Sequence, residues 1–247
     1  ANTTITPVAN YTISSSTKTL FKYNDSIWIG RDDEADFVRS PLAEDQHERI
    51  YVTGIGGATG YPRMTQASIV GNGTFYALGI PKPSNLSSVV LSPTTSAKQD
   101  EEVPQSRAYV FTYVSAYGEE GQPCDAPTGQ IVEVRSDQSV VVTFPANPSG
   151  NHNLSTKRIY RTDTSGTFRF VADVTLATTT FTDSKKESEL GEAVPTTTFD
   201  PPPDNVSSDH PDGPMLGLVS LPNGILAGFS GQTVCFSEAF QPHAFPD

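Results

Sequence analysis

The chain has 247 residues, enough for one large or two modest domains each with its own core, and two is the better expectation. Its 20 prolines and 19 glycines interrupt it too often for long helices, so an all-β protein with many turns follows. A formal charge of −12, with only 16 Lys and Arg, argues against wrapping nucleic acid, whose phosphates are held by cations; acidic patches that keep an assembly subunit soluble are the favoured reading of it, and a passage that repels DNA is the second.

In chain order, residues 1–80 read as short strands joined by polar turns, the first part of a β-rich platform. Thr19–Tyr23 and Ile27–Ile29 flank Asn24-Asp25-Ser26 and predict a hairpin, since Asn and Asp tolerate the left-handed backbone of a tight turn. Ser40 as a cap and Pro41 at a first helical position predict one helical turn over 40–44. Arg49–Thr53 is a further strand, ended by the glycine-rich segment 54–60, and Phe75–Leu78 is another.

Pro81-Lys82-Pro83 reads as a hinge, because two prolines stiffen the backbone and remove two donors that a strand would need. It opens a module over 81–200. Leu86–Leu91 is its first strand, followed by an exposed polar loop, Ser92–Gln105. From Arg107 the residues alternate, with Tyr109, Phe111 and Tyr113 on one face and Val110, Thr112 and Val114 on the other. Gln130–Val134, Ser139–Phe144, Lys157–Arg161, Phe168–Ala172 and Thr178–Asp183 complete about seven strands, the pattern of a β-sandwich.

Gly191–Pro203, ending in three prolines, reads as an extended second linker. The last part, 201–247, predicts a meander of Leu216–Leu221, Gly224–Phe229 and Thr233–Ser237, with turns at Pro222-Asn223 and Ser230-Gly231. The Gly224–Ser237 hairpin echoes the one at Thr19–Ile29, as repeated antiparallel units such as propeller blades would. The two flanking parts are therefore expected to make one platform domain into which the sandwich is inserted.

Cys124 and Cys235 are the only cysteines and are far apart, which speaks against a disulfide framework or a zinc site. No apolar run approaches the length of a membrane span, and Ala1–Pro7 lacks the basic start and apolar core of a leader. The missing initiator Met leads to the expectation of a start after a cleavage or partway through a longer chain, and an end just after a strand to that of an incomplete platform. The acidic groups at Asp32, Asp33, Glu34 and Asp36 and at Glu44, Asp45 and Glu48 lack regular calcium-loop spacing and read as solvated faces. His47 and His243 sit beside no nucleophile, and Gly54–Gly60 lacks the Lys and the following helix of a phosphate-binding loop. No catalytic residue, cofactor or metal is expected. Among the aromatics, Trp28 and Tyr51 suit the core, while Tyr61 and Phe245 are candidate subunit contacts.

Several stretches together carry a resemblance: Asp36–Gly54, Tyr61–Thr65, Arg107–Gly121, Lys157–Thr162, Leu221–Gly231, Phe236–Glu238 and Pro242–Pro246. In order and along most of the chain, they resemble virion structural proteins of tailed bacteriophages. Within that group the chain is most similar to the nozzle or tubular protein at the end of a short tail, whose last motif more often carries Trp where Phe245 stands here. The resemblance implies a fibronectin type III or Ig-like sandwich in the middle. It also implies a non-enzymatic tail subunit of the virion, ringed with copies of itself around the DNA passage beside adaptor and fibre proteins. The alternative is a tail-associated receptor-binding protein that uses sandwich loops such as Ser92–Gln105 and Asn147–Asn153.

Overall fold

The computed structural model describes residues 14–57, 60–195, 198–204 and 210–246; the leader reading of Ala1–Pro7 lies outside them. Among the described residues there are 17 strands, a few single-turn 3-10 helices and no α-helix, so the fold is all-β. They divide into two compact units. One runs to Leu78 and resumes at Pro202–Phe245, and the other comprises Gly79–Pro201 with Pro246.

In the first unit, β1 (Thr19–Lys22) and β2 (Trp28–Arg31) form the expected hairpin. Its turn is held by a side chain and not by left-handed backbone: Asn24 Oδ1 accepts from the amides of Ser26 at 2.9 Å and Ile27 at 2.8 Å. β3 (Asp36–Arg39), β4 (Ile50–Thr53), β5 (Arg63–Thr65) and β6 (Tyr76–Ala77) make an antiparallel meander in that order. Every residue of β4 is buried, and Ile50 joins Tyr23, Ile29 and Val70 in an apolar cluster flanked by Phe21, Phe37 and Phe75. The predicted helical turn at 40–44 is absent. Glu44 and Glu48 take positive φ instead, and the Asp45 carboxylate accepts from the amides of His47 and Arg49 while pairing with the Arg49 guanidinium at 2.7 Å.

The unit is completed by β15 (Leu216–Leu221), β16 (Ile225–Ser230) and β17 (Thr233–Phe236), an antiparallel meander with turns where the sequence places them. Asn223 and Gly231, at those turns, both have positive φ. β15 packs on β3 and β4, and the Leu218 amide donates to Thr53 Oγ1 at 3.3 Å.

The second unit is a β-sandwich. One sheet has the order β14 (Thr180–Asp183), β11 (Ser139–Thr143), β7 (Ser88–Ser92); the other has β13 (Phe168–Thr175), β12 (Leu154–Thr162), β9 (Tyr109–Ser115). A two-stranded ribbon, β8 (Gln105–Arg107) with β10 (Val132–Val134), accompanies them. Alternation does what it should on β11, where Val140 and Val142 are buried and Ser139, Val141 and Thr143 are less so. Those valines share one core with Phe111, Phe144 and Ile159, and the Phe111 and Phe144 rings meet edge-to-face at 5.1 Å. Burying each such side chain contributes about 1.5–3 kcal/mol.

Two features depart from the expected sandwich. β9 is buried on both faces, and the segment after it folds back along its edge, with the Gly121 and Cys124 amides donating to the carbonyls of Tyr113 and Phe111. The second linker is not wholly a linker either. The Gly191 and Val194 amides donate to the carbonyls of Phe170 and Phe168, and Glu192 accepts from the Phe170 amide, so the segment extends the β13 edge as a short extra strand.

Candidate functional site

An antiparallel sheet packed on a core by one face ordinarily turns polar residues outward on the other. The β15–β16–β17 sheet breaks that rule. Its inner face carries Leu218, Leu226 and Gly228, with Met215 filling the space that a side chain at Gly228 would take. Its outer face is set by the register: Val219 lies opposite Ala227 and Ala227 opposite Phe236, while Phe229 lies opposite Val234. Val219, Phe229, Val234 and Phe236 are 49%, 45%, 59% and 51% exposed, and Phe240, just past β17, is 60% exposed. None of the three strands contains a charged residue.

Glycines shape this face. Gly217, at φ 65°, lies under the Phe229 ring, and Gly224, at φ 71°, lies under the Phe240 ring. A Cβ at either position would strike the ring above it, so the absence of a side chain lets the aromatic lie flat along the sheet. Two half-exposed phenylalanines on the strands and a third beside them present about 300 Å² of aromatic surface, within the range of the largest apolar patch on a typical soluble monomer, which is often a functional one.

The edge of the sheet is open as well. The Ser237 amide donates to the Leu226 carbonyl at 2.8 Å, and with the register this makes Cys235 and Thr233 the residues that bond to β16. The amides and carbonyls of Val234 and Phe236 therefore point away from the sheet, and none is paired among the described residues.

The two sequence candidates for subunit contact are not alike. Tyr61 is 39% exposed, with the Arg63 guanidinium 4.3 Å from its ring centre, and remains accessible. Phe245 is 4% exposed and sits in the core of its unit, offering almost no surface to a neighbour. The exposed apolar residues that sequence reading did not single out, Phe229, Val234 and Phe236, were in view as strand residues. Their two-sided apolar pattern was the available signal.

The sandwich holds a groove of about 450 Å³ lined by Glu120, Arg158, Tyr160, Phe170 and the Gly191–Pro195 segment. Its polar groups satisfy one another. Glu120 accepts from Thr112 Oγ1 at 2.7 Å, Tyr160 Oη at 2.6 Å and Arg158 Nη1 at 2.8 Å, and Arg158 makes two further bonds to Asp173. Burial, then the bond to Glu120, push the Tyr160 hydroxyl well above its ordinary value. The loop Ser92–Gln105 is tied down in the same way. Ser96 Oγ and the Ala97 amide donate to Asp137, and Lys98 Nζ bonds Glu102 at 2.8 Å. The bond from Lys98, helped by two from Ser136, holds the Glu102 carboxyl down at about 2.

No protein-family model matches the chain, and no curated protein matches it. Among the described residues no group of three His, Cys, Asp or Glu side chains is placed to hold a metal ion, and no helix is long and apolar enough to cross a membrane.

Proposed function

We propose that this chain is a non-enzymatic structural subunit of a bacteriophage tail, a nozzle or tubular component that assembles with copies of itself in a ring around the DNA passage. The observation that carries the reading is the β15–β16–β17 sheet with apolar side chains on both faces, because a sheet that ends in water on one side has no use for Phe229, Val234 and Phe236 there. The stretches that resemble tail proteins support a tail subunit, and one of them, Leu221–Gly231, contains β16 of this sheet. The charge of −12 suits a lumen that repels the DNA backbone, and rings close through heterologous contacts for which a flat apolar face provides one half. The neighbours would be adaptor and fibre proteins of the tail, and the fibronectin or Ig-like sandwich would brace them.

The test is electron microscopy of the purified full chain with sedimentation over a wide concentration range. The expected result is a closed ring whose contacts include the Phe229 face. A protein that stays monomeric throughout, with Phe229→Ser indistinguishable from wild type in sedimentation and solubility, overturns the reading.

A further inference from the structure

Native proteins usually protect an exposed sheet edge with a charge, a proline or a bulge. β17, Thr233-Val234-Cys235-Phe236, carries none of these; the irregularity in this sheet lies on β15, between Leu216 and Val219. Its outward main-chain groups are two amides and two carbonyls, on Val234 and Phe236, and these are arranged symmetrically about Cys235.

We propose that two copies of this chain pair edge to edge through β17, antiparallel, about a twofold axis at Cys235. In that register Val234 of one copy faces Phe236 of the other, and the two residues exchange both of their main-chain hydrogen bonds. The symmetric pair does the same, so all four outward groups of each edge are satisfied by the same four groups of its partner. Shifting the register by two residues brings either Gln232 in the turn, or Glu238, whose amide already donates to the Ala244 carbonyl, against one of these positions and leaves groups unpaired. The side chains agree with the backbone, because Val234 packs beside Phe236 of the second copy on the outer face and joins the two apolar faces into one. Charge agrees as well. The whole chain is at −12, yet the paired edges are uncharged, and Glu238 falls opposite Gln232 rather than another acid.

The pairing rests on the proposed function only in supposing that copies of this chain meet. It is an isologous contact, so it does not close a ring; it joins subunits or rings in pairs and leaves the apolar face available for other neighbours.

Cys235 reports the register. Across a non-hydrogen-bonded antiparallel pair the Cα atoms lie about 4.5 Å apart, inside the roughly 4.4–6.8 Å range that a disulfide spans. Diamide, which takes up the two protons and two electrons of the thiol pair, is therefore expected to convert the purified full chain to a covalent dimer. Cys235→Ser abolishes that dimer and Cys124→Ser does not, since burial pushes the Cys124 thiol up to about 11. Hydrogen exchange, run alongside on the protein without oxidant, is expected to show the Val234 and Phe236 amides slowing at least tenfold as concentration rises, and Val234→Lys is expected to remove that slowing. An oligomer in which both amides exchange as fast as in the monomer overturns the edge pairing and leaves the assembly reading standing. A chain monomeric at every concentration, including one whose edge awaits a strand from a different protein, overturns both.

Discussion

Arg161 Nη1 donates to Asp183 Oδ2 at 2.8 Å with both side chains entirely out of water, in the middle of the sandwich core. The same oxygen accepts from Tyr109 Oη at 2.7 Å, and Arg161 Nη2 reaches the Lys185 carbonyl at 3.0 Å. The pair ties β12 to β14, one strand from each sheet. Taking away one partner strands a charge in a low dielectric. Asp183→Ala is expected to cost about 3–5 kcal/mol, read as a lower urea midpoint with little change in slope. Arg161→Met with Asp183→Leu, which removes both charges, is expected to cost clearly less than the two single losses added together. Equal costs for the pair and the sum would mean that the ion pair is not coupled.

The Gly217–Phe229 contact gives a second test. Alanine at a left-handed position costs about 1–2 kcal/mol, and at Gly217 the new Cβ also meets the Phe229 ring. Gly217→Ala is therefore expected to destabilise the first unit by more than the backbone cost alone. Adding Phe229→Ala should return the clash component and leave the backbone component. A strictly additive double mutant would show that the ring does not rest on the glycine.

The elements that were legible in the sequence are those whose residues decide their own conformation. Val140 and Val142 alternate with Ser139, Val141 and Thr143, and Asn223 and Gly231 supply the backbone their turns need. What escaped depends on partners distant in the chain. Asp36–Arg39 and Arg63–Thr65 are not read as strands from the sequence, and become strands because β4 between them is wholly buried and offers both edges for pairing. Arg161 shares the inward side of β12 with Ile159, a position that reads as apolar, and only Asp183, 22 residues later, makes the charge tolerable there. The same holds for the candidate site. Phe229, Val234 and Phe236 are plain strand residues until the register shows that they share the face turned from the core.

Among the described residues, four of the five buried tyrosines bear on the alkaline limit. Burial is the first cause that raises the hydroxyls of Tyr23, Tyr109, Tyr113 and Tyr160 above the ordinary value of 10.0, with Asp183 and Glu120 adding to it at Tyr109 and Tyr160. Below pH 10 both states keep these protons and stability does not change on their account. Above it the unfolded chain releases protons that the folded chain retains, so stability falls as pH rises, by up to about 1.4 kcal/mol per pH unit for each retained proton. In a Cys124→Ser background, which removes a buried thiol whose ordinary value of 9.0 would start the fall earlier, urea midpoints are expected to be level from pH 8 to 9.5 and to drop beyond 10, more shallowly when Tyr160→Phe is added. A flat profile to pH 11.5 would contradict the burial of these hydroxyls.

Glu120 gathers three donors from the outer face of one sandwich sheet, and two of them, on Thr112 and Tyr160, are buried. Glu120→Ala leaves both hydroxyls without this acceptor, at about 1–3 kcal/mol each, whereas Arg158 keeps its two bonds to Asp173 at 2.8 and 3.0 Å. Glu120→Gln retains one acceptor oxygen but no charge, so it is expected to destabilise less than alanine while lowering the Tyr160 ionisation. Absorbance at 295 nm during a pH titration separates the two effects, since Glu120→Gln should bring one tyrosine transition down toward 10 in a protein that is still folded. If no tyrosine transition moves, Tyr160 does not donate to Glu120.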